Sequence, residues 1–290
     1  FYKFTLIEYC MIEIIFLIAL ALVWILFSVA ADFKHRIVPN WLNFSLIIFA
    51  LGFRLFYSLF SNDFTFFHQG IVGLGIFFII GNGLYYGRMF AGGDAKLMIA
   101  LGAILPFSKD LTTNFEIFAM FFLLFLFSGA IYGFGWMAYL SVKNFDKQKK
   151  EFSAQFGKNK NAFIFSILFA ILFLFAGFYD SLFFYLGFAI FLIPYLYSYA
   201  KAVDETSLVK NVKTKNLSEG DWLYHDLKIG NKNIKAKWEG LSNEEIKMIR
   251  KKFKEVKIRH GIPFTPSFLI AFAILIYFYF SGIGLWNLLY

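Results

Sequence analysis

Long apolar runs, each close to the length of a bilayer crossing, decide most of what this chain can become. A crossing needs about 20 apolar residues, with a range of about 17–25. Residues 14–31, 41–60, 70–86, 115–142, 162–178, 181–199 and 266–286 each supply one. An eighth run, residues 96–106, is too short to span comfortably and reads as a tilted half-length helix or a re-entrant piece. The chain is 59% hydrophobic and 16% charged, with mean hydropathy +0.64. Soluble domains average about 45–50% apolar and about 25% charged. The expected fold is therefore an α-helical polytopic membrane protein of seven to eight segments, carrying a small α+β module on one side.

Charge fixes the orientation. All 28 Lys and Arg except Lys3, Arg54 and Lys109 fall in the segments 32–40, 87–96, 143–161 and 200–263. Those four lie on one side if the short run crosses, and the positive-inside bias makes that side cytoplasmic. The opposite side holds mostly acids: Glu8, Asp63, Asp110, Glu116 and Asp180. The net charge of +9 is accounted for as cytoplasmic flanks, so no nucleic-acid partner is implied. Arg54, near the far end of its run, is expected to snorkel to the interface. Glycines in the third run (Gly70, Gly73, Gly75, Gly81 and Gly83) allow close helix packing.

The chain starts with Phe1, and Met11, directly before the first run, is a candidate start. That run lacks a basic flank and a small-residue cleavage site, so it reads as a retained helix. The organisation expected is a membrane core over 1–142, a basic cytoplasmic loop over 143–161 and an apolar hairpin over 162–199. A cytoplasmic module over 200–263 and a last helix over 264–290 follow. Within the module, Leu227-Lys228-Ile229 and Ile234-Lys235-Ala236 alternate around Gly230-Asn231, a hairpin pattern. Ser242-Asn243-Glu244-Glu245 has capping-box spacing. Ile246, Ile249, Phe253 and Val256 then recur at helical spacing.

Two polar breaks carry the chemistry. One is Asp32-Phe33-Lys34-His35-Arg36-Ile37-Val38-Pro39-Asn40, and the other is Phe90-Ala91-Gly92-Gly93-Asp94-Ala95-Lys96, a glycine turn ending in a carboxylate. The topology puts Asp32 and Asp94 at the same membrane face. Two carboxylates sharing one proton can activate water and polarise a carbonyl together, the logic of an aspartyl protease. Such a dyad titrates as a unit. Gly92 and Gly93 suit close approach of a substrate chain and backbone angles closed to other residues. A purely structural reading stands beside this one. In it Asp32 is an interfacial residue paired with Lys34 or Arg36, and Asp94 is the N-cap of the next helix. The single cysteine, Cys10, excludes an internal disulfide and a four-cysteine zinc site. The four histidines (His35, His68, His225 and His260) lack metal-ligand spacing, so neither metal nor cofactor is expected.

The first break, continued by Trp41-Leu42, resembles the first catalytic loop of the type IV prepilin peptidases. Ala91-Gly92-Gly93-Asp94-Ala95-Lys96-Leu97 resembles their Gly-x-Gly-Asp signature, with Ala91 where the first glycine is expected. The resemblance covers roughly residues 11–142. With one cysteine, the chain looks like the archaeal branch, the preflagellin and pilin-like signal peptidases, rather than bacterial members with a cysteine-rich zinc domain. Glu219-Gly220-Asp221-Trp222-Leu223 is similar to a C-terminal extension on some archaeal members. The resemblance implies catalytic Asp32 and Asp94. It also implies a pilin-like or archaellin precursor with a class III signal peptide, cut where its basic leader meets its apolar helix. Lys34, Arg36 and Lys96 either tune the dyad and orient the substrate or anchor the inner face. Presenilin-type proteases fit less well: Tyr179-Asp180 falls after the motif, and no Pro-Ala-Leu is present. A transporter or assembly subunit would be expected to show deep charges or duplicated halves.

Overall fold

The computed structural model describes residues 11–284 except residue 231. In chain order its helices are α1 (Met11–His35), α2 (Asn40–Ser61), α3 (Thr65–Tyr86), α4 (Gly92–Gly102), α5 (Leu111–Lys143), α6 (Phe145–Lys158), α7 (Lys160–Ala176) and α8 (Ser181–Val203). Strands β1 (Val209–Lys213), β2 (Trp222–Leu223), β3 (Leu227–Ile229) and β4 (Lys232–Ile234) follow, then α9 (Asn243–Lys252), β5 (Glu255–Arg259) and α10 (Pro266–Ser281). The chain forms two compact units, residues 1–133 with 262–290 and residues 134–261. Helices α1, α2, α3, α5 and α8 are long and apolar enough to cross a membrane, and a sixth crossing arises if the bent α6–α7 pair is one span. Helices α7 and α10, also among the expected spans, have 17 and 16 residues.

In the first unit, α1 keeps Glu13 in its first turn and Lys34 and His35 in its last, matching the helix dipole. It stops where Arg36 turns left-handed at φ 58, its N–H donating to the Asp32 carbonyl at 2.9 Å. Val38 precedes a proline and Pro39 is extended (φ −61, ψ 138), so the chain cannot re-enter a helix before Asn40. The short α4 lies at the centre, with Met98 and Leu101 fully buried among Leu17, Leu46, Phe77 and Phe121. At 11 residues it covers about 16 Å, roughly half a hydrocarbon layer. The non-helical stretch beyond it is buried as well: Ala103, Ile104 and Leu105 have no exposed surface.

Irregular backbone at that depth needs internal partners. Arg54 supplies them. Its Nε donates to the Ala103 carbonyl at 2.9 Å, and its Nη2 donates to Ile104 at 3.0 Å and Pro106 at 2.7 Å. Its Nη1 donates to Phe66 at 2.9 Å, and the guanidinium stacks 4.3 Å over the Phe66 ring. Arg54 is fully buried, so the expected snorkelling is corrected: the open carbonyl end of α4 holds the cation inside.

The glycines of α3 serve this packing. A Cβ on Gly102 would lie 2.6 Å from both the Gly73 carbonyl oxygen and the Phe77 Cβ, whereas one on Gly75 would meet nothing within 4 Å. Gly102→Ala should therefore cost about 1–3 kcal/mol through overpacking, more than the ~1 kcal/mol of helix propensity gained. Gly75→Ala should be neutral or stabilising. Thermal melting of the two variants in one detergent checks the contrast.

In the second unit, α7 and α8 pack as an antiparallel hairpin turned at Asp180, whose carboxylate caps α8 by accepting from Leu182 N at 2.9 Å. The sheet order is β1-β5-β2, all antiparallel, and β3 pairs with β4. Ser242 and Glu245 make both bonds of the capping box that opens α9. The helical repeat expected to include Val256 ends at Lys252 instead. Glu255-Val256-Lys257-Ile258 alternates, and β5 buries Val256 and Ile258 against Ile246 and Ile249 of α9. The segment expected as the basic loop 143–161 is mostly the helix α6. Gly220-Asp221 has a structural part here. Asp221 accepts from Ser218 N at 2.7 Å, and its carbonyl accepts from Leu241 N at 2.9 Å.

Candidate active site

Asp32 occupies the last turn of α1 and is 6% exposed. Its Oδ2 accepts two hydrogen bonds from Thr265, from the backbone N–H at 3.1 Å and from the hydroxyl at 2.9 Å. Thr265 is held there by its neighbours. Phe264 packs edge-on against Phe125, centroids 5.8 Å apart, and lies over Gly129, where a Cβ would stand 2.8 Å from its ring. Pro266 starts α10, and the Ser267 carbonyl accepts from the Ser128 hydroxyl at 3.0 Å. Thr265, and not only the charged neighbours Lys34 and Arg36, thus holds this buried carboxylate in place.

Asp94 is the third residue of α4 and half-buried. Ala91 takes the N-cap position, and no side chain caps the helix there. Asp94 lies within electrostatic range of Asp32, so each carboxylate feels the other's charge. The two sequence breaks that carry them also interlock. Lys96 Nζ donates to Asn40 Oδ1 at 2.6 Å, and Gly93 lies against Val38, where a Cβ would stand 3.2 Å from the Val38 Cβ and 3.3 Å from its nitrogen. Phe90, buried against Phe125 and Phe268 at 5.4 and 6.3 Å, fixes the entry to α4.

One expectation about the glycines changes. Gly92 and Gly93 open α4 as helical residues, and neither has positive φ. Gly93 is needed for the close approach of the Val38 strand of chain, not for backbone freedom. The glycine-rich face of α3, expected to allow close helix packing, is used partly for contacts within the protein. Gly73 and Gly81 meet α4, and Gly70 meets the Arg54 side chain. Lys34 and Arg36 are both exposed, and Arg36 adopts the left-handed turn that ends α1. Arg36 and Asp32 are both within electrostatic range of Tyr132 on α5.

Sequence reasoning did not find Thr265 or Tyr132. Thr265 lies 233 residues from Asp32, and a Thr-Pro helix start announces a cap, not a partner for a distant carboxylate. No group of three or more His, Cys, Asp or Glu able to hold a metal occurs among the described residues.

The model of the type IV leader peptidase family matches residues 19–139. A preflagellin peptidase of Methanocaldococcus jannaschii is 33% identical over 75 residues, which is 26% of this chain. The match spans about a third, 32%, of that relative's length. No solved structure matches the chain. The segment that contains Asp32, Asp94 and the helices between them is thus the part of the chain that is similar to the type IV leader peptidase family.

Proposed function

We propose that the chain is a membrane aspartyl endopeptidase. It removes the short basic leader of a pilin-like or archaellin precursor at the cytoplasmic membrane face. The observation that carries this reading is the meeting of two distant breaks, Asp32 clamped by Thr265 and Asp94 within range of its charge. Two such carboxylates hold one proton between them. The ionised member takes a proton from water as the water oxygen attacks the scissile carbonyl carbon. The protonated member gives its proton to the carbonyl oxygen, which becomes a hydroxyl. When the tetrahedral intermediate collapses, the amide nitrogen leaves with the proton the dyad took from water, and a hydroxyl of the intermediate gives its proton back to the dyad as the carbonyl re-forms. No cofactor or metal takes part.

The membrane side follows from charge. The breaks lie among the basic segments, so the dyad opens at the cytoplasmic edge of the bilayer, where a basic leader meets its apolar helix. In this reading α7 and α10 also cross, the latter because Thr265 must sit at the same edge as Asp32. With α4 as the short segment, eight segments result. Arg54 is the deep charge a transporter reading would need, and its bonds to four backbone carbonyls give it a structural task instead.

The test is cleavage of a pilin-like precursor by the full chain reconstituted in lipid. Processing between the leader and the apolar helix is expected, and an intact precursor in the presence of folded, inserted protein would overturn the assignment. Thr265 gives a finer check. Thr265→Val removes the hydroxyl bond to Asp32 and leaves the backbone N–H. A bond to a charged group is worth about 1.5–3 kcal/mol. The rate should fall about ten- to a hundredfold, and Thr265→Ser should keep most of it. Equal rates for Val and Ser would show that the hydroxyl contributes nothing to holding Asp32.

A further inference from the structure

Helix α6 belongs to neither the dyad nor the sheet module, and its three edges differ sharply. It meets α7 at a bend of 74° and packs on α8. The edge turned to α8 is polar and buried: Gln148 and Gln155 are 6% and 7% exposed, and Gln155 Nε2 donates to Glu151 Oε1 at 2.7 Å. A second edge carries Phe145, Phe152 and Phe156, spaced 7 and 4 residues apart and so nearly in line. Phe156 packs at a tilt against Phe163 of α7, centroids 4.2 Å apart, and Phe163 meets Tyr195 of α8 at 5.0 Å. The aromatic edge therefore points toward the end of the apolar hairpin, where Tyr195 also lies.

The edge opposite the phenylalanines bears Lys147, Lys150 and Lys158, all exposed, while Lys149 flanks the aromatic edge. None of these lysines makes an ion pair among the described residues. Phe145 is 64% exposed at the start of the helix. If α7 runs along the bilayer normal, a 74° bend lays α6 nearly in the membrane plane. Its phenylalanines then face the acyl boundary and its lysines the head groups. That is the amphipathic pattern of an interfacial helix, with cations on the polar face and aromatics on the other.

We propose that α6 is a docking surface for anionic phospholipids. Lys147, Lys149, Lys150 and Lys158 engage the phosphates of the leaflet on their own side, and Phe145 enters the acyl boundary beside them. Charge complementarity selects this occupant. Asp146 and Glu151 are the acids of the helix, outnumbered by its four lysines, so the helix keeps a net positive charge.

Hydrogen exchange of the α6 amides, measured on the full chain in nanodiscs, tests the proposal. Discs of zwitterionic phosphatidylcholine are compared with discs that also contain phosphatidylglycerol. Each lysine near an anionic surface contributes about fivefold in binding, so exchange in α6 should slow by at least about fivefold in the anionic discs. The slowing should vanish near about 1 M salt, where screening falls to about 3 Å. It should also vanish when the four lysines are replaced by Gln. Equal exchange in both discs would overturn the proposal, and so would protection that survives both salt and substitution. The salt series on unaltered protein decides the matter even if the fourfold variant does not fold.

Discussion

Replacing Asp94 by Asn is expected to abolish precursor processing while leaving the protein inserted and folded. Asn keeps the shape and the hydrogen-bonding reach of Asp but can neither take nor give the proton. General acid–base catalysis is worth about 10²–10⁴-fold, so a loss of at least about 10²-fold should follow. Asp32→Asn should do the same, because in the proposed dyad the proton belongs to the pair. The double variant is the sharper measurement: residues that act as one unit are strongly non-additive, so it should be no slower than either single variant. Single-turnover cleavage, with insertion followed in parallel, separates the outcomes. Near-normal cleavage by either single variant would reduce that Asp to a helix-end residue and end the aspartyl mechanism. A further large loss in the double variant would mean two independent groups and not a dyad.

The second large effect is expected from Arg54, and it is an effect on stability. Arg54→Met leaves the carbonyls of Phe66, Ala103, Ile104 and Pro106 without the donors they now have. An unsatisfied buried polar group costs about 1–3 kcal/mol, and breaking a buried ionic site costs about 3–5 kcal/mol. Partial relaxation around the loop lowers the sum, so a loss of at least about 4 kcal/mol is expected. Against a usual stability of about 5–15 kcal/mol, that is a large share of what holds the protein folded. Arg54→Lys should retain part of it: an ammonium has three donors on one nitrogen, where Arg54 reaches four carbonyls from three nitrogens. Thermal melting and the recovered monodisperse fraction in detergent measure this. Melting of Arg54→Met close to the unaltered protein would show that the end of α4 is held by its packing alone. The consequence extends along α4, because Arg54 grips one end of a rigid rod whose other end carries Asp94.

Much of this protein was legible in its residues because the signals were local. Hydrophobic runs of crossing length need no tertiary information, and α1, α2, α3 and α5 fall where the runs predicted. Ser242 and Glu245 are three residues apart, and the capping box they form is a property of one helical turn. The hairpin of β3 and β4 is likewise closed by residues that are neighbours in sequence. Asp32 and Asp94 stood out because a carboxylate between apolar runs is costly to place by chance.

What the sequence did not determine depends on contacts between distant segments. Whether Val256 continues a helix or enters a strand was decided by β1, whose Val212 pairs with it across the sheet. Arg54 reads as a snorkelling side chain until the end of α4, some 50 residues on, turns three carbonyls toward it. Thr265 becomes a partner of Asp32 when α10 brings it beside the end of α1. The physical reason is the same throughout. Periodicity and capping are energies of one segment, whereas a buried polar group is stable in the place where the rest of the fold supplies its complement.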